Sequence, residues 1–156
     1  MIAEVPVRFA LPSDAARIAA MSRAEIEHGL QWSWMPDRVA RAIRDPATNV
    51  IVAGEGRALL AFGIMSYLAE DAHLLLFAVR GDRRRQGVGS AMLAWLEAVA
   101  RAAGSMRIRV EARLDNVAGR SFYSEHGYHE RDICKAMYGG RLDGVRLEKW
   151  LRARGT

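Results

Sequence analysis

The pattern of apolar and polar positions is clearest in the middle of the chain. After its first residue, His73–Val79 is an uninterrupted apolar run of strand length. In Ser90–Ala103 the apolar residues recur at helical spacing, and Gly104 follows where a helix would end. The pattern therefore predicts a strand and a long helix. The segment that joins them contains the basic, glycine-bearing stretch Arg84–Gly89.

The rest of the chain divides into short strands and helices. Further strands are predicted at Val5–Phe9, Val50–Ala53, Leu59–Leu68, Met106–Ala112, Tyr128–Met137 and Val145–Leu151. Further helices are predicted from Ser13 or Asp14 to about His28, from Pro36 to Arg44, and from Asn116 to Glu125. Glycine-containing connections predict three antiparallel strands before the basic stretch and a closing hairpin. A chain of 156 residues is expected to form a single domain over 1–156.

The chain is basic, with a formal net charge of +5, and Lys135 and Lys149 are its only lysines. Such a charge suits either a nucleic acid or a polyanionic cofactor. Because the arginines are spread out and cluster most tightly at Arg83–Arg85, we expect no nucleic-acid partner. Apolar runs of membrane-spanning length and a secretory pattern at the start are both missing, so a cytoplasmic protein without a membrane partner is expected. The single cysteine, Cys134, excludes an intrachain disulfide.

The basic stretch has the chemistry of an anion site. The first turn of a helix has free N–H groups and favours negative charge, and glycines let the backbone approach a bulky ligand. Spacing alone leaves two interpretations open, a diphosphate site or a sharp turn with solvated arginines. Met92 stands where the dinucleotide fingerprint has its third glycine, and the P-loop lysine is missing, so neither of those motifs applies.

Two motifs resemble those of the GNAT superfamily of N-acetyltransferases. The first is Val79-x-x-x-x-Arg84-x-x-Gly87-x-Gly89, which resembles the acetyl-CoA motif of that family, with Gly81-Asp82 where many members have Pro-Glu. The second runs from Asn116 to Tyr128 and has glycine at position 119 where the family usually has alanine. The predicted order of elements is also similar to the topology of the family.

The resemblance implies a fold and a cofactor. The fold would be an α/β (α+β) mixed, mostly antiparallel sheet of about seven strands flanked by about four helices. The co-substrate would be acetyl-CoA, with its pantetheine paired to a splayed central strand and its pyrophosphate on the loop. A bulge in that strand would free its backbone groups. The implied cofactor-binding residues are Phe77, Ala78, Val79, Arg84, Arg85, Gln86, Gly87, Val88, Gly89, Ser90 and Asn116.

Two residues are candidates for catalysis of direct attack by a primary amine. Tyr123 takes the position of a family tyrosine near the CoA sulfur and would act as general acid; the alternative is a core tyrosine. Glu111 lies in a pattern that resembles the branch that acetylates protein N-terminal amines, and it would act as general base, with a paired surface carboxylate as the alternative. The rival bases are Glu70, Asp71 and His73.

The partners are less defined than the cofactor. The acceptor is an amine on a small molecule or a protein, and no metal is expected. Trp32 and Trp34 either line the acceptor pocket or pack a helix on the sheet. The C-terminal strands offer a surface for a homodimer. A non-catalytic acyl-CoA-binding sensor or interaction module is the alternative function, since it would need the glycines but no base.

Overall fold

The computed structural model describes residues 6–55, 58–84 and 87–152. The strands in these ranges are β1 (Val7–Phe9), β2 (Thr48–Glu55), β3 (Ala58–Leu68), β4 (Asp71–Val79), β5 (Arg107–Arg113), β6 (His129–Tyr138) and β7 (Leu142–Trp150). The α-helices are α1 (Ala15–Glu25), α2 (Pro36–Arg44), α3 (Val88–Ala102) and α4 (Val117–Glu125). The predicted fold class and order of elements are confirmed.

The strands form one mixed sheet in the order β1-β2-β3-β4-β5-β7-β6. Strands β4 and β5 are parallel because α3 crosses over between them, whereas every other neighbouring pair is antiparallel. The three antiparallel strands before the basic loop and the closing hairpin are therefore confirmed. The parallel pair lies at the centre of the sheet, where ligands of such folds commonly bind.

The helices cover the sheet from both sides. On one side α3 packs its apolar stripe, including Met92 and Leu96, on buried residues of β3, β4 and β5. On the other side α1 and α2 pack Ile18 and Val39 on β2, β3 and the end of β4. Since α1 and α2 pack on that half of the sheet, the same face of β5, β7 and β6 carries polar residues.

Helix α1 ends at Glu25, three residues before the predicted end. The backbone N–H groups of Ile26 and Glu27 both donate to the carbonyl oxygen of Ser22, which closes the helix in a turn. The Glu27 side chain then folds back, and its buried carboxylate accepts the Ser22 hydroxyl at 2.8 Å. A tertiary polar contact therefore sets this boundary. Over the residues that the structure describes, no helix is long and apolar enough to cross a membrane.

Candidate active site

Strands β4 and β5 pair only over their first halves. The parallel ladder joins residues 71–74 to residues 107–110 and then stops. Beyond that point β4 continues to Val79 alongside β3. Within the described ranges, no strand pairs with the β5 side of Phe77, Ala78 and Val79. An extended ligand with amide groups can join such an open strand edge.

Strand β4 carries a bulge just before this gap. Ile64 of β3 pairs with Leu76, whereas the next residue, Met65, pairs with Leu74, so that Leu75 is an extra residue. Because side chains alternate along a strand, one extra residue reverses the faces that follow it. Leu74 accordingly packs in the core under α3, and Leu76 packs in the core under α1. The bulge that the resemblance implied is present.

The predicted phosphate loop leads from β4 into the first turn of α3. Gly87 has φ +85°, a left-handed conformation that favours glycine, and it is the N-cap residue of α3. Gly89 lies between two side chains, since a Cβ there would come within 3.3 Å of both Val79 and Phe122. Val88 is buried and anchors the turn. The N-terminus of a 15-residue helix is thereby held beside the open end of β4.

Arg84 joins this loop to the end of α1. Its Nη2 donates to Glu25 Oε2 at 2.8 Å, and Glu25 Oε1 accepts the Gly81 N–H at 3.0 Å. Arg85 and Gln86, which were also predicted to bind the cofactor, lie outside the described residues. The sequence analysis did not pair Arg84 with Glu25, because 59 residues separate them and no local signal links them.

Ser90 and Asn116 each have a defined structural partner. Ser90 Oγ lies 2.9 Å from Nε2 of His126 at the end of α4, and Nδ1 of that histidine lies 2.8 Å from the carbonyl oxygen of Phe122. Asn116 caps α4, as expected, because its Oδ1 accepts the Gly119 N–H at 3.0 Å. A Cβ at position 119 would clash with the Asn116 side chain, which accounts for glycine here.

Tyr123 is buried among aromatic rings on the α3 side of β4. Its ring centroid lies 6.4 Å from that of Phe77, 5.5 Å from Phe122 and 5.6 Å from Tyr128. Among the described residues its hydroxyl has no hydrogen bond. Burial raises the pKa of Tyr123 well above that of a free phenol, and Tyr138 and the charge of Glu111 raise it further. The phenol therefore remains protonated and able to donate.

Glu111 and His73 form a hydrogen-bonded pair on the opposite face of the sheet. His73 Nε2 lies 2.7 Å from Glu111 Oε1 and 3.0 Å from Oε2. An ionised carboxylate can only accept, so the imidazole N–H donates. Each side chain is about one quarter exposed, which leaves the pair open to an acceptor or to water. Two residues that the sequence presented as rival bases are thus in contact.

The other rival bases are less suited to accept a proton. Arg107 donates two hydrogen bonds to Asp71, at 2.7 and 3.1 Å, and Arg109 Nε lies 3.3 Å from the same carboxylate. The hydrogen bond from Arg107, with the nearby positive charges, holds the pKa of Asp71 below its usual value. Glu70 lies exposed in the turn before β4. The geometry therefore favours Glu111 with His73.

The segment between α1 and α2 lies over the end of β5. Arg113 of β5 donates to the carbonyl oxygen of His28 at 2.7 Å, and this contact attaches the segment to the strand. Trp32 donates its indole N–H to the Ala19 carbonyl oxygen at 3.2 Å, and Trp34 packs in the same core. Both tryptophans therefore pack α1 and α2 on the sheet, which was one of the two roles that the sequence left open for them.

Comparison with known proteins defines the class. The chain belongs to the acetyltransferase (GNAT) family, whose model matches residues 16–128. That range contains the predicted phosphate loop, the open edge of β4, Glu111 and Tyr123. The family that the two motifs resembled is therefore the family of the chain.

Individual relatives are similar over part or all of the chain. The ribosomal protein bS18-alanine N-acetyltransferase of Escherichia coli is 31% identical over 90 residues, which make up 56% of this chain and 61% of the relative. The chain thus matches about three-fifths of the length of this curated relative. The crystal structure of the Escherichia coli ribosomal-protein-S18-alanine N-acetyltransferase has a TM-score of 0.82 at 22% identity and covers 97% of both chains.

A second solved structure carries the cofactor. A Salmonella typhimurium protein, solved with its cofactor acetyl-CoA, has a TM-score of 0.79 at 16% identity; the match covers 99% of this chain and 98% of that one. At 16% identity, the similarity to this structure shows a shared fold and no more.

Proposed function

We propose that this chain is an acetyl-CoA-dependent N-acetyltransferase that acts on the N-terminal amine of a polypeptide. The observation that carries the proposal is the hydrogen-bonded Glu111–His73 pair beside the point where β4 and β5 separate. The Escherichia coli relative modifies an alanine of a ribosomal protein by its name. Alanine in a protein has a free amine only as the first residue, which favours a terminal amine over a side-chain amine.

The chain has groups that fit each part of acetyl-CoA. The open backbone of Phe77, Ala78 and Val79 suits the amides of pantetheine. The free N–H groups of the first turn of α3, from Gly87 to Ser90, suit the pyrophosphate. Arg84 and Arg85 supply charge for phosphate oxygens, and Asn116 lies at the head of α4 on the same side.

The proposed reaction needs two proton-handling groups. The amine nitrogen attacks the thioester carbonyl carbon, the carbon–sulfur bond breaks, and the amide forms as the thiolate leaves. Glu111, oriented by the His73 N–H, accepts the proton that the ammonium group loses before the attack, directly or through water. The nitrogen loses its second proton to water as the amide forms. Tyr123 donates its proton to the departing thiolate from the opposite face and regains a proton from water, so that CoA leaves as the free thiol. The two roles fit residues on opposite faces because the thioester would lie in the gap between the strands.

The test is thiol release from acetyl-CoA with a peptide that begins with alanine. The same peptide acetylated at its N-terminus is the control and should give no release. Glu111→Gln should lower kcat by about 10²–10⁴-fold, which is the usual contribution of a general base. His73→Leu removes the donor to Glu111, and His73→Gln retains one, so the Gln variant should keep more activity.

Three outcomes would contradict the proposal. Wild-type turnover in Glu111→Gln would remove Glu111 from the reaction. Equal loss in both His73 variants would mean that His73 does more than orient Glu111. Thermal stabilisation by acetyl-CoA without acetyl transfer to any peptide or small amine would favour the non-catalytic sensor. A cytoplasmic location and a homodimer remain predictions.

A further inference from the structure

The face of the sheet beside Glu111 carries a group of arginines that the proposed reaction does not use. Arg107, Arg109 and Glu111 alternate along β5 and share one face, opposite the buried residues of the strand. Arg131 of β6 and Arg146 of β7 lie beside them. These four arginines and Glu111 line a surface cavity of about 250 Å³, together with Asp132, Leu147 and Glu148. We call this cavity the arginine basin.

Each of the four arginines of the basin lies near a carboxylate. Arg107 bonds Asp71 at 2.7 Å and Glu148 at 2.9 Å. Arg146 lies 3.1 Å from Asp132, and Arg131 lies 3.4 Å from Glu148. Arg107 also stacks over the ring of Trp150 at 5.1 Å. These contacts neutralise most of the positive charge and fix the walls of the basin.

Arg109 differs from the other three because its Nε is buried and has no hydrogen-bond partner among the described residues. It forms an ion pair with Asp71, whose Oδ2 lies 3.3 Å from Nε without hydrogen-bond geometry. Asp71 also accepts two hydrogen bonds from Arg107. A buried N–H of a charged group is costly without an acceptor. The basin therefore contains a buried arginine N–H that has no acceptor among the described residues.

We propose that the arginine basin, through Arg109, binds a carboxylate of the acceptor, namely an acidic side chain near the N-terminus of the peptide. The inference rests on the proposed function. Arg109 and Glu111 are two residues apart on one strand face, which is about 7 Å. Successive residues of an extended peptide rise by about 3.3 Å, so a peptide with its amine at Glu111 would have the backbone of its second residue about half of that distance away. An acidic side chain at this second residue would extend over the rest. Arginine matches a carboxylate with charge-assisted hydrogen bonds.

The experiment compares three peptides that differ only in the second residue, Ala-Glu, Ala-Gln and Ala-Lys followed by one common sequence. The assay is thiol release with acetyl-CoA at constant ionic strength. For the wild type, kcat/KM with the Glu peptide should exceed that with the Gln peptide by about tenfold or more, and the Lys peptide should be slowest. Free glutamate and glutamine, tested as acceptors, separate a small amino acid from a peptide as the source of the carboxylate.

Arg109→Gln should abolish the preference for the Glu peptide, so that the Glu and Gln peptides react with similar kcat/KM. Arg44→Gln, in α2 and outside the basin, is the matched control and should keep the preference. Thermal stabilisation by acetyl-CoA in each variant shows that the fold is intact.

The outcomes separate the two proposals. Equal rates of the wild type with all three peptides would overturn the anion subsite and leave the N-terminal acetyltransferase standing. A preference for Glu that survives Arg109→Gln would remove Arg109 from recognition. A carboxylate preference with free amino acids alone would overturn the peptide form of the inference. No transfer to any peptide would overturn the proposed function and the subsite with it.

Discussion

The two buried tyrosines of the aromatic cluster allow a sharp test of the proposed mechanism. Tyr123 and Tyr128 stack edge to face, with ring centroids 5.6 Å apart. The Tyr128 hydroxyl donates to the buried carboxylate of Glu97 at 2.8 Å, whereas the Tyr123 hydroxyl has no hydrogen bond among the described residues. Burial, with the charge of Glu97, raises the pKa of Tyr128 well above the usual value, so both phenols are neutral at physiological pH. The same substitution at the two sites should therefore have opposite consequences.

Tyr123→Phe should lower kcat and leave stability nearly unchanged. Loss of a proton-handling group costs about 10²–10⁴-fold in rate. Since the hydroxyl has no partner to lose, the free energy of unfolding should change by less than about 1 kcal/mol. The acetyl-CoA affinity should also be retained, because the ring contacts with Phe77 and Phe122 remain.

Tyr128→Phe should instead lower stability and leave kcat nearly unchanged. Glu97 would keep Lys149, at 3.0 Å, but would lose one charge-assisted hydrogen bond, which is worth about 1.5–3 kcal/mol. In a domain of this size that corresponds to a fall in Tm of roughly 3–12 °C. The rate of acetyl transfer should stay near the wild-type value. Thermal unfolding and thiol release, each measured on the wild type, Tyr123→Phe and Tyr128→Phe, test these expectations. Full activity in Tyr123→Phe, or an equal loss of rate in both variants, would refute the assignment of Tyr123.

Two further predictions concern charge. Asp14 is buried and accepts Arg8, Arg17 and the Leu11 N–H, and the Arg8 hydrogen bond holds its pKa below the usual value. The ionised Asp14 side chain therefore stabilises the fold above its unfolded pKa of about 3.9, and this contribution is lost as the pH falls through the lower folded pKa. The wild type should exceed Asp14→Asn in free energy of unfolding at pH 7, and this difference, measured by urea unfolding, should shrink toward pH 2. Glu25→Gln keeps an acceptor for the Gly81 N–H but removes the negative charge beside Arg84. Calorimetry at low salt should therefore show acetyl-CoA binding that is tighter by about two- to fivefold. At high salt the affinities of the variant and the wild type should become equal, because salt screens the charge of Glu25. A weaker affinity would mean that Glu25 positions Arg84 instead of competing for it.

Local patterns were enough to predict most of the elements. Helix α2 begins at Pro36 and ends at Arg44 as expected, because proline suits the first turn and Asp45-Pro46 cannot continue a helix. Strand alternation also placed Glu111 opposite the buried Ile108 and Val110. The end of α1 could not be predicted, since it depends on the folded-back side chain of Glu27.

The functional contacts depend on register between distant segments. His73 and Glu111 meet because residues 71–74 pair with residues 107–110 in parallel, with a whole helix between the two strands. No local pattern sets such a register, so the sequence could present the two residues only as rivals. The same holds for the contact between Glu25 and Arg84 and for the buried Nε–H of Arg109, which has no acceptor among the described residues. The motifs could indicate only candidate segments, and the pairing of the strands decides which of their side chains are in contact.

The extra residue at position 75 makes β4 two short strands in series. The first half turns its polar residue, His73, toward the face that carries Glu111, whereas the second half turns Phe77 and Val79 toward the core under α3. Deleting Leu75 would make Leu74 and Leu76 neighbours in one regular ladder against Met65 and Ile64, so Leu76 and Ala78 would still face α1. The deletion would therefore remove the bulge without turning either half of the strand over. A designer could use it to separate the effect of the bulge from the effect of side-chain facing.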